Sequence, residues 1–176
     1  MKRIMRIAFV AVAVISLANC KKPTEFKEIE VDNIFSMQIP AYFHSTTDLF
    51  PNTAANIHQY DDSAGKVFLM IYDTSRADFD ISSLRTFYDS MVANSVMDST
   101  RILEPQLVKI DNDSAYRSEI TGKQGGTRLF GEMAAIASKN RFYFILTWTD
   151  LNKRDDLKPD MYKMLNSFHD ISNLKK

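Results

Sequence analysis

The chain has 176 residues, with 22 Lys or Arg and 22 Asp or Glu, so its formal net charge is zero. Such a balance lacks the basic surplus of nucleic-acid-binding proteins, and we expect no nucleic-acid partner. There is one cysteine, which excludes a disulfide within the chain and a thiolate metal site. The length after residue 20 suits a single domain with its own hydrophobic core.

The first twenty residues have the pattern of an export signal. Lys2, Arg3 and Arg6 precede an apolar run from Ile7 to Ala18. This run of about 12 residues would be about 18 Å long as a helix, whereas a bilayer core is about 30 Å thick. A short apolar run with a positive flank is typical of a cleaved signal peptide and not of a membrane span.

The residues Leu17-Ala18-Asn19-Cys20 resemble the lipobox of bacterial lipoproteins, which has Leu, two small residues and then Cys. The resemblance implies that residues 1–19 are a signal peptide and that Cys20 is lipidated, with a diacylglyceryl group and a further acyl chain such as palmitate. Two or more chains anchor a protein stably to a membrane. The alternative is a soluble secreted protein whose cysteine is buried or left over.

The residues after Cys20 bear on the location of the anchor. In the lipoproteins that this segment resembles, Asp at the next position retains the protein in the inner membrane. Lys21 stands there instead, and no acidic run follows, so the resemblance favours the outer membrane with the domain facing the periplasm. We interpret residues 20–31 as the lipidated cysteine and a tether that spans at most about 36–40 Å.

The pattern behind the tether predicts strands. Alternating apolar residues at 35–40 predict a strand with one buried face. Residues 55–61 and 67–72 predict a hairpin that is closed by a turn at 62–65. Residues 67–72 are apolar throughout, so we expect both faces of that strand to be covered.

Helices are predicted before and after a second group of strands. Apolar residues from Ile81 to Val96 recur at helical spacing behind Asp80, a suitable N-cap. A final helix is predicted from about Leu157 to Phe168, with Pro159 in its first turn. Between the helices, strands are predicted at about residues 107–110, 115–121, 127–137 and 141–149, the last with apolar residues on both faces.

This order predicts an α+β fold, an α/β/α sandwich in which two helices cover a mainly antiparallel sheet of about six or seven strands. The single domain would span residues 32–171, followed by a tail at 172–176. The chain resembles the Mog1/PsbP-like family over about residues 31–171, through Ile39-Pro40, Phe144-Ile145-Leu146-Thr147-Trp148 and Asn166-Ser167-Phe168. That resemblance implies a non-enzymatic module that binds or stabilises protein complexes, without shared catalytic residues.

We found no pattern of a reaction centre. His44, His58 and His169 lack the paired spacing of zinc sites, so no metal and no cofactor are expected. No Gly-x-Ser-x-Gly motif occurs. The acidic clusters at 111–113 and 155–156 are interpreted as a turn and a helix start.

One segment is apolar without a regular pattern, residues 41–54, and it contains Tyr42, Phe43 and Phe50. Exposed together, these aromatic side chains would form a patch for a protein partner. Alternatively, the loop folds back and caps the core.

The sequence therefore favours a lipid-anchored envelope protein that acts as a non-catalytic binding or scaffolding domain for a protein partner. One alternative is a carrier of a small apolar ligand or lipid. A second is an enzyme of unknown class, whose sign would be a cleft where two titratable side chains converge with shifted pKa values.

Overall fold

The computed structural model describes residues 23–49, 56–77, 83–93 and 98–172, without the side chains of residues 98 and 99. Several predicted features lie outside these residues. They are the signal peptide, Cys20, Phe50, the N-cap Asp80 and the two ends of the first predicted helix, Ile81 and Val96.

The described residues form eleven strands, which are β1 (Phe26–Val31), β2 (Phe35–Pro40), β3 (His44–Ser45), β4 (Ile57–Asp61), β5 (Val67–Ser75), β6 (Asp98–Ile102), β7 (Gln106–Ile110), β8 (Asp113–Gln124), β9 (Thr127–Ala137), β10 (Arg141–Asp150) and β11 (His169–Asp170). Their helices are α1 (Leu84–Ala93), a short 3₁₀ helix (Leu151–Lys153) and α2 (Arg154–Asn166). The α+β fold predicted from the sequence is confirmed.

The strands form two antiparallel sheets within the described residues. The large sheet has eight strands in the order β3-β4-β5-β10-β9-β8-β6, with β7 also pairing with β8. The small sheet has three strands in the order β1-β2-β11. The first predicted strand therefore belongs to a second sheet, and the large sheet has more strands than the six or seven predicted.

The tether prediction was wrong for residues 26–31, which form β1. Phe26 pairs with Pro40 and Val31 with Phe35 in antiparallel register. The charged residues of β1 made this segment look like a solvated linker. In the structure Phe26, Ile29 and Val31 are partly buried against the core, while Lys27 and Glu28 are exposed. An edge strand with one covered face tolerates this composition.

The helices follow the predicted faces with changed bounds. In α1, Ser83 takes the capping role, because its Oγ accepts a hydrogen bond from the N–H of Thr86 at 3.1 Å. The helix buries Phe87 and Tyr88 and exposes Arg85 and Asp89. In α2, Asp155 and Asp156 lie in the first turn as expected, but Pro159 lies inside the helix. The prediction for Pro159 was wrong because α2 begins earlier than its apolar residues indicated.

Two cores lie on the two faces of the large sheet. On one face Phe142, Phe144, Leu146 and Trp148 of β10 belong to the same buried cluster as Phe87 and Tyr88 of α1. The other face packs against α2 and the small sheet through Leu69, Ile71, Tyr143, Ile145, Met161, Met164, Leu165, Phe35, Met37 and Ile39. This explains why the central strands are apolar on both faces.

No helix in the described ranges is long and apolar enough to cross a membrane.

Candidate functional site

The predicted aromatic patch is not formed by the residues that can be assessed. Tyr42 is 42% exposed, whereas Phe43 is fully buried in the core. The Phe43 carbonyl accepts a hydrogen bond from Lys27 Nζ at 2.5 Å. The patch hypothesis is wrong for Phe43, and the alternative, that the loop folds back and caps the core, holds for this part of the segment. Phe50 lies outside the described residues.

The histidines have structural contacts. His58 lies 3.1 Å from buried Asp73, and the ring of His58 meets Phe35 edge-on. His169 contacts Asp111 beside the turn between β7 and β8, and His44 is exposed on β3. Among the residues that the structure describes, no group of three or more His, Cys, Asp or Glu is arranged to hold a metal ion.

A charged cleft lies elsewhere, between α2 and the edge of the large sheet. It is lined by Leu103, Glu104, Gln106, Arg117, Ser118, Glu119, Glu132, Lys158 and Tyr162. The strands β8 and β9 supply its floor, and the residues between β6 and β7 supply one wall. The opposite wall is α2, through Lys158 and Tyr162.

Glu132 is the deepest charged group of the cleft. It is 2% exposed, and it lies directly opposite Glu119 in the register of β8 and β9. Burial, and after it the nearby carboxylate of Glu119, raise the pKa of Glu132 to about 7 against the opposing influence of Lys158, Arg117 and Arg154. This carboxyl is therefore close to half ionised at neutral pH.

Lys158 and Arg154 of α2 hydrogen-bond Glu119 and not Glu132. Lys158 Nζ donates to Glu119 Oε1 at 2.6 Å, and Arg154 donates to Glu119 Oε2 at 3.0 Å. Lys158 Nζ is 3.9 Å from Glu132 Oε1, which is beyond a hydrogen bond. Glu132 Oε1 is buried and has no hydrogen-bond partner among the described residues.

The rim of the cleft combines a fixed cation with exposed apolar groups. Arg117 hydrogen-bonds the Tyr162 hydroxyl and Asn166, and its guanidinium lies 4.0 Å from the centre of the Tyr162 ring. Leu103 is 45% exposed and Tyr162 is 39% exposed. A cleft with an apolar rim and a buried carboxyl suits the binding of a polar group on an apolar stem.

The volume of the cleft is about 100 Å³. Pockets for whole small-molecule ligands usually measure about 300–1,000 Å³. The cleft therefore accommodates a side-chain end group more readily than an entire substrate.

This cleft was not predicted from the sequence. The one signal of it in the sequence is Glu132, which interrupts the otherwise apolar run from Leu129 to Ala137. A buried charge needs a partner, so an acid in such a strand is informative. The partners themselves were not visible, because Glu119 and Lys158 reach Glu132 only through strand register and helix docking.

Comparisons with known proteins show the fold. No protein family model and no curated protein matches the chain. Among solved structures, the cyanobacterial PsbP (CyanoP) from Synechocystis sp. PCC 6803 is 11% identical, with a TM-score of 0.60, covering 86% of this chain and 96% of its own.

Two further solved structures are similar in the same way. LpqN of Mycobacterium tuberculosis, described as involved in cell envelope biogenesis, has a TM-score of 0.52 at 7% identity, covering 84% of this chain and 91% of its own. The protein of unknown function PA94 from Pseudomonas aeruginosa has a TM-score of 0.51 at 8% identity, covering 81% of this chain and 95% of its own. The chain therefore has a PsbP-like fold.

Proposed function

We propose that this protein is a lipid-anchored component of the bacterial cell envelope that acts as a non-catalytic binding or scaffolding domain for a protein partner. The observation that carries the proposal is the cleft beside α2, where exposed Leu103 and Tyr162 border a buried carboxyl. Apolar groups that are held exposed around a few polar groups are typical of binding surfaces.

The envelope location is supported by the lipobox resemblance around Cys20 and by the structural similarity to LpqN. The chain would be anchored close to its domain, because Thr24 Oγ1 hydrogen-bonds Asp160 of α2 at 2.5 Å. The residues from Lys21 to Thr24 span at most about 14 Å. With the lipid on Cys20 in the outer membrane, the domain would lie against the periplasmic surface.

The helix α2 links the anchor and the cleft. Asp160 and Lys163 contact the start of the domain, since Lys163 Nζ lies 3.7 Å from the centre of the Phe26 ring. Lys158 and Tyr162 of the same helix line the cleft. A partner bound in the cleft would therefore be held about one helix diameter, roughly 10–12 Å, from the anchored segment.

Site-specific crosslinking in living cells tests the partner. We expect a photo-reactive residue at position 103 to form one defined protein adduct. The matched control position is 139, in the exposed turn between β9 and β10, and should form none. Adducts from both positions alike, or from neither, would contradict the proposal.

The anchor has its own test. Cys20→Ser should release the protein from the membrane fraction, and the mass of the wild-type chain should show a cysteine with acyl groups. An unmodified wild-type mass with an unchanged distribution of the Cys20→Ser protein would exclude the lipid.

The carrier alternative has less support. Phe87 of α1 stacks on Phe142 of β10 with ring centres 4.8 Å apart, and Phe35 of the small sheet meets Tyr143 of β10 at 6.0 Å. Side chains of the covering layers thus directly contact the large sheet on both faces. Detection of bound acyl chains by native mass spectrometry would support this alternative.

One observation favours catalysis as a second candidate. Glu119 and Glu132 converge in the cleft, and the pKa of Glu132 is raised to about 7, which suits acid–base chemistry. The small volume argues against a complete substrate. Hydrolysis of an ester, peptide or glycoside by the pure protein, lost in Glu132→Gln, would overturn the non-catalytic assignment.

A further inference from the structure

We propose that the cleft binds the cationic end of a lysine or arginine side chain, with the Glu132 carboxylate accepting a hydrogen bond from its ammonium or guanidinium group. The source of this side chain, a protein partner, rests on the proposed function. The chemistry of the site does not, because it follows from the side chains of the cleft alone.

Glu132 supplies a hydrogen-bond acceptor for this cationic group. Glu132 Oε1 is buried and lacks a hydrogen-bond partner among the described residues. Leaving a buried polar atom unsatisfied is unfavourable, more so for a charged group. A donor that enters the cleft would satisfy this atom, and a cationic donor would also stabilise the ionised carboxyl.

The three cations near Glu132 hydrogen-bond other groups. Lys158 and Arg154 donate to Glu119. Arg117 donates to the Tyr162 hydroxyl and to Asn166. Glu132 thus has an ion-pair contact with Lys158 at 3.9 Å and the charges of Arg117 and Arg154 nearby, without a hydrogen bond from any of the three.

The shape of the cleft suits the end of a long side chain. The cleft of about 100 Å³ suits an end group, and exposed Leu103 and Tyr162 can cover the aliphatic stem behind it. The acids Glu104, Glu119 and Glu132 line the cleft together with the bases Arg117 and Lys158, and Arg154 pairs with Glu119 beside them. The formal charges balance, so the preference for a cation comes from the unpartnered oxygen of Glu132, which accepts a charge-assisted hydrogen bond.

Binding of this kind depends on pH. Glu132 is faced by Glu119 and Arg117 of β8 and by Lys158 and Arg154 of α2. Its pKa is about 7, so affinity should increase as pH rises through neutrality and Glu132 becomes ionised. By linkage, the bound cation should lower the pKa of Glu132.

The experiment uses the full chain in an uncharged detergent and follows its amide resonances by NMR. The probe is N-acetyl-lysine methylamide, and N-acetyl-norleucine methylamide is the matched neutral probe. We expect the lysine probe to shift resonances around Glu119, Glu132 and Lys158, and Glu132→Gln to weaken its affinity at least tenfold. Glu28→Gln, an exposed change on β1, should leave the affinity unchanged.

A second measurement keeps the proposal testable if Glu132→Gln does not fold. In the wild-type chain, the ¹³C resonance of the Glu132 carboxyl should titrate at lower pH when the lysine probe is bound. Equal shifts from both probes, or tighter binding of N-acetyl-glutamate methylamide, would overturn the proposal. An unchanged Glu132 titration in the presence of the lysine probe would do the same.

The outcomes separate this inference from the proposed function. Binding of the lysine probe without a crosslink at position 103 would support the cation site and contradict the protein partner. A crosslink at position 103 without binding of the lysine probe would support the protein partner and contradict the cation site.

Discussion

Glu119 of β8 and Glu132 of β9 are direct cross-strand partners, so two carboxylates stand side by side on the sheet face beneath α2. Like charges in this position destabilise a sheet. The helix offsets the repulsion by placing Lys158 and Arg154 on Glu119. Glu132 is left buried beside them, with a pKa near 7.

Glu132→Gln should make folding more favourable at neutral pH. The pKa of Glu132 is raised from 4.5 to about 7 in the folded state, so the folded protein binds the extra proton and wild-type stability falls as pH rises through this window. Glutamine does not ionise, so the stability of the variant does not fall in this pH window. Its free energy of unfolding relative to wild type should rise by about 3 kcal/mol between pH 4 and pH 8.

Urea denaturation at several pH values measures this difference, with Glu28→Gln as the exposed control. A difference between Glu132→Gln and wild type that does not vary with pH would contradict the raised pKa.

Asp73→Asn should have the opposite pH dependence. Burial would raise the pKa of Asp73, but hydrogen bonds from His58 and Arg141 outweigh it and the pKa is lowered. The ionised carboxyl therefore stabilises the fold above its unfolded pKa, and this contribution is lost as pH falls. Breaking this buried ion pair should cost about 3–5 kcal/mol at pH 7 and less in acid.

Asp89→Asn is the matched control for Asp73→Asn, because Asp89 pairs with Arg85 on the exposed face of α1. Such a surface pair contributes little. Equal losses of stability in the two variants at pH 7 would show that the Asp73 pair has no special role.

Phe43→Ala should unfold the protein more readily than Tyr42→Ala. Phe43 is fully buried, and removing a buried phenylalanine ring costs about 3–5 kcal/mol. Tyr42 is 42% exposed, so Tyr42→Ala should lower the free energy of unfolding much less. Thermal unfolding followed by Trp148 fluorescence compares them, and similar midpoints for both variants would mean that Phe43 does not cap the core.

Gly131→Ala should be destabilising because β9 has no room for a side chain there. A Cβ at this position would lie 2.8 Å from Ile120 Cγ2 and 2.9 Å from the Thr147 carbonyl oxygen. Overpacking of this kind costs about 1–3 kcal/mol.

Adding Ile120→Ala should not restore the stability of the Gly131→Ala protein, since the carbonyl of β10 remains in place. Full recovery in the double variant, measured by urea denaturation, would show that Ile120 alone causes the conflict.

Local patterns predicted much of the fold. The alternation in residues 141–149 assigns Phe142, Phe144, Leu146 and Trp148 to one face, and in the structure these four lie in one buried cluster with Phe87 and Tyr88 of α1. The hairpin of β4 and β5 is also confirmed. Such patterns succeed because side chains alternate along a strand whatever its neighbours are. They failed for β1, because an edge strand with one partly buried face resembles a solvated linker.

The sequence by itself determined the order of the two helices and of β2, β4, β5 and β7 to β10, and the presence of two covered sheet faces, since hydrophobic periodicity is a property of consecutive residues. Only the tertiary structure decided that Phe43 is buried, that β1 and β2 leave the large sheet, and that Glu132 meets Glu119 and Lys158. Those contacts join residues that are distant along the chain, and they depend on strand register and on how α2 docks, which no local pattern encodes.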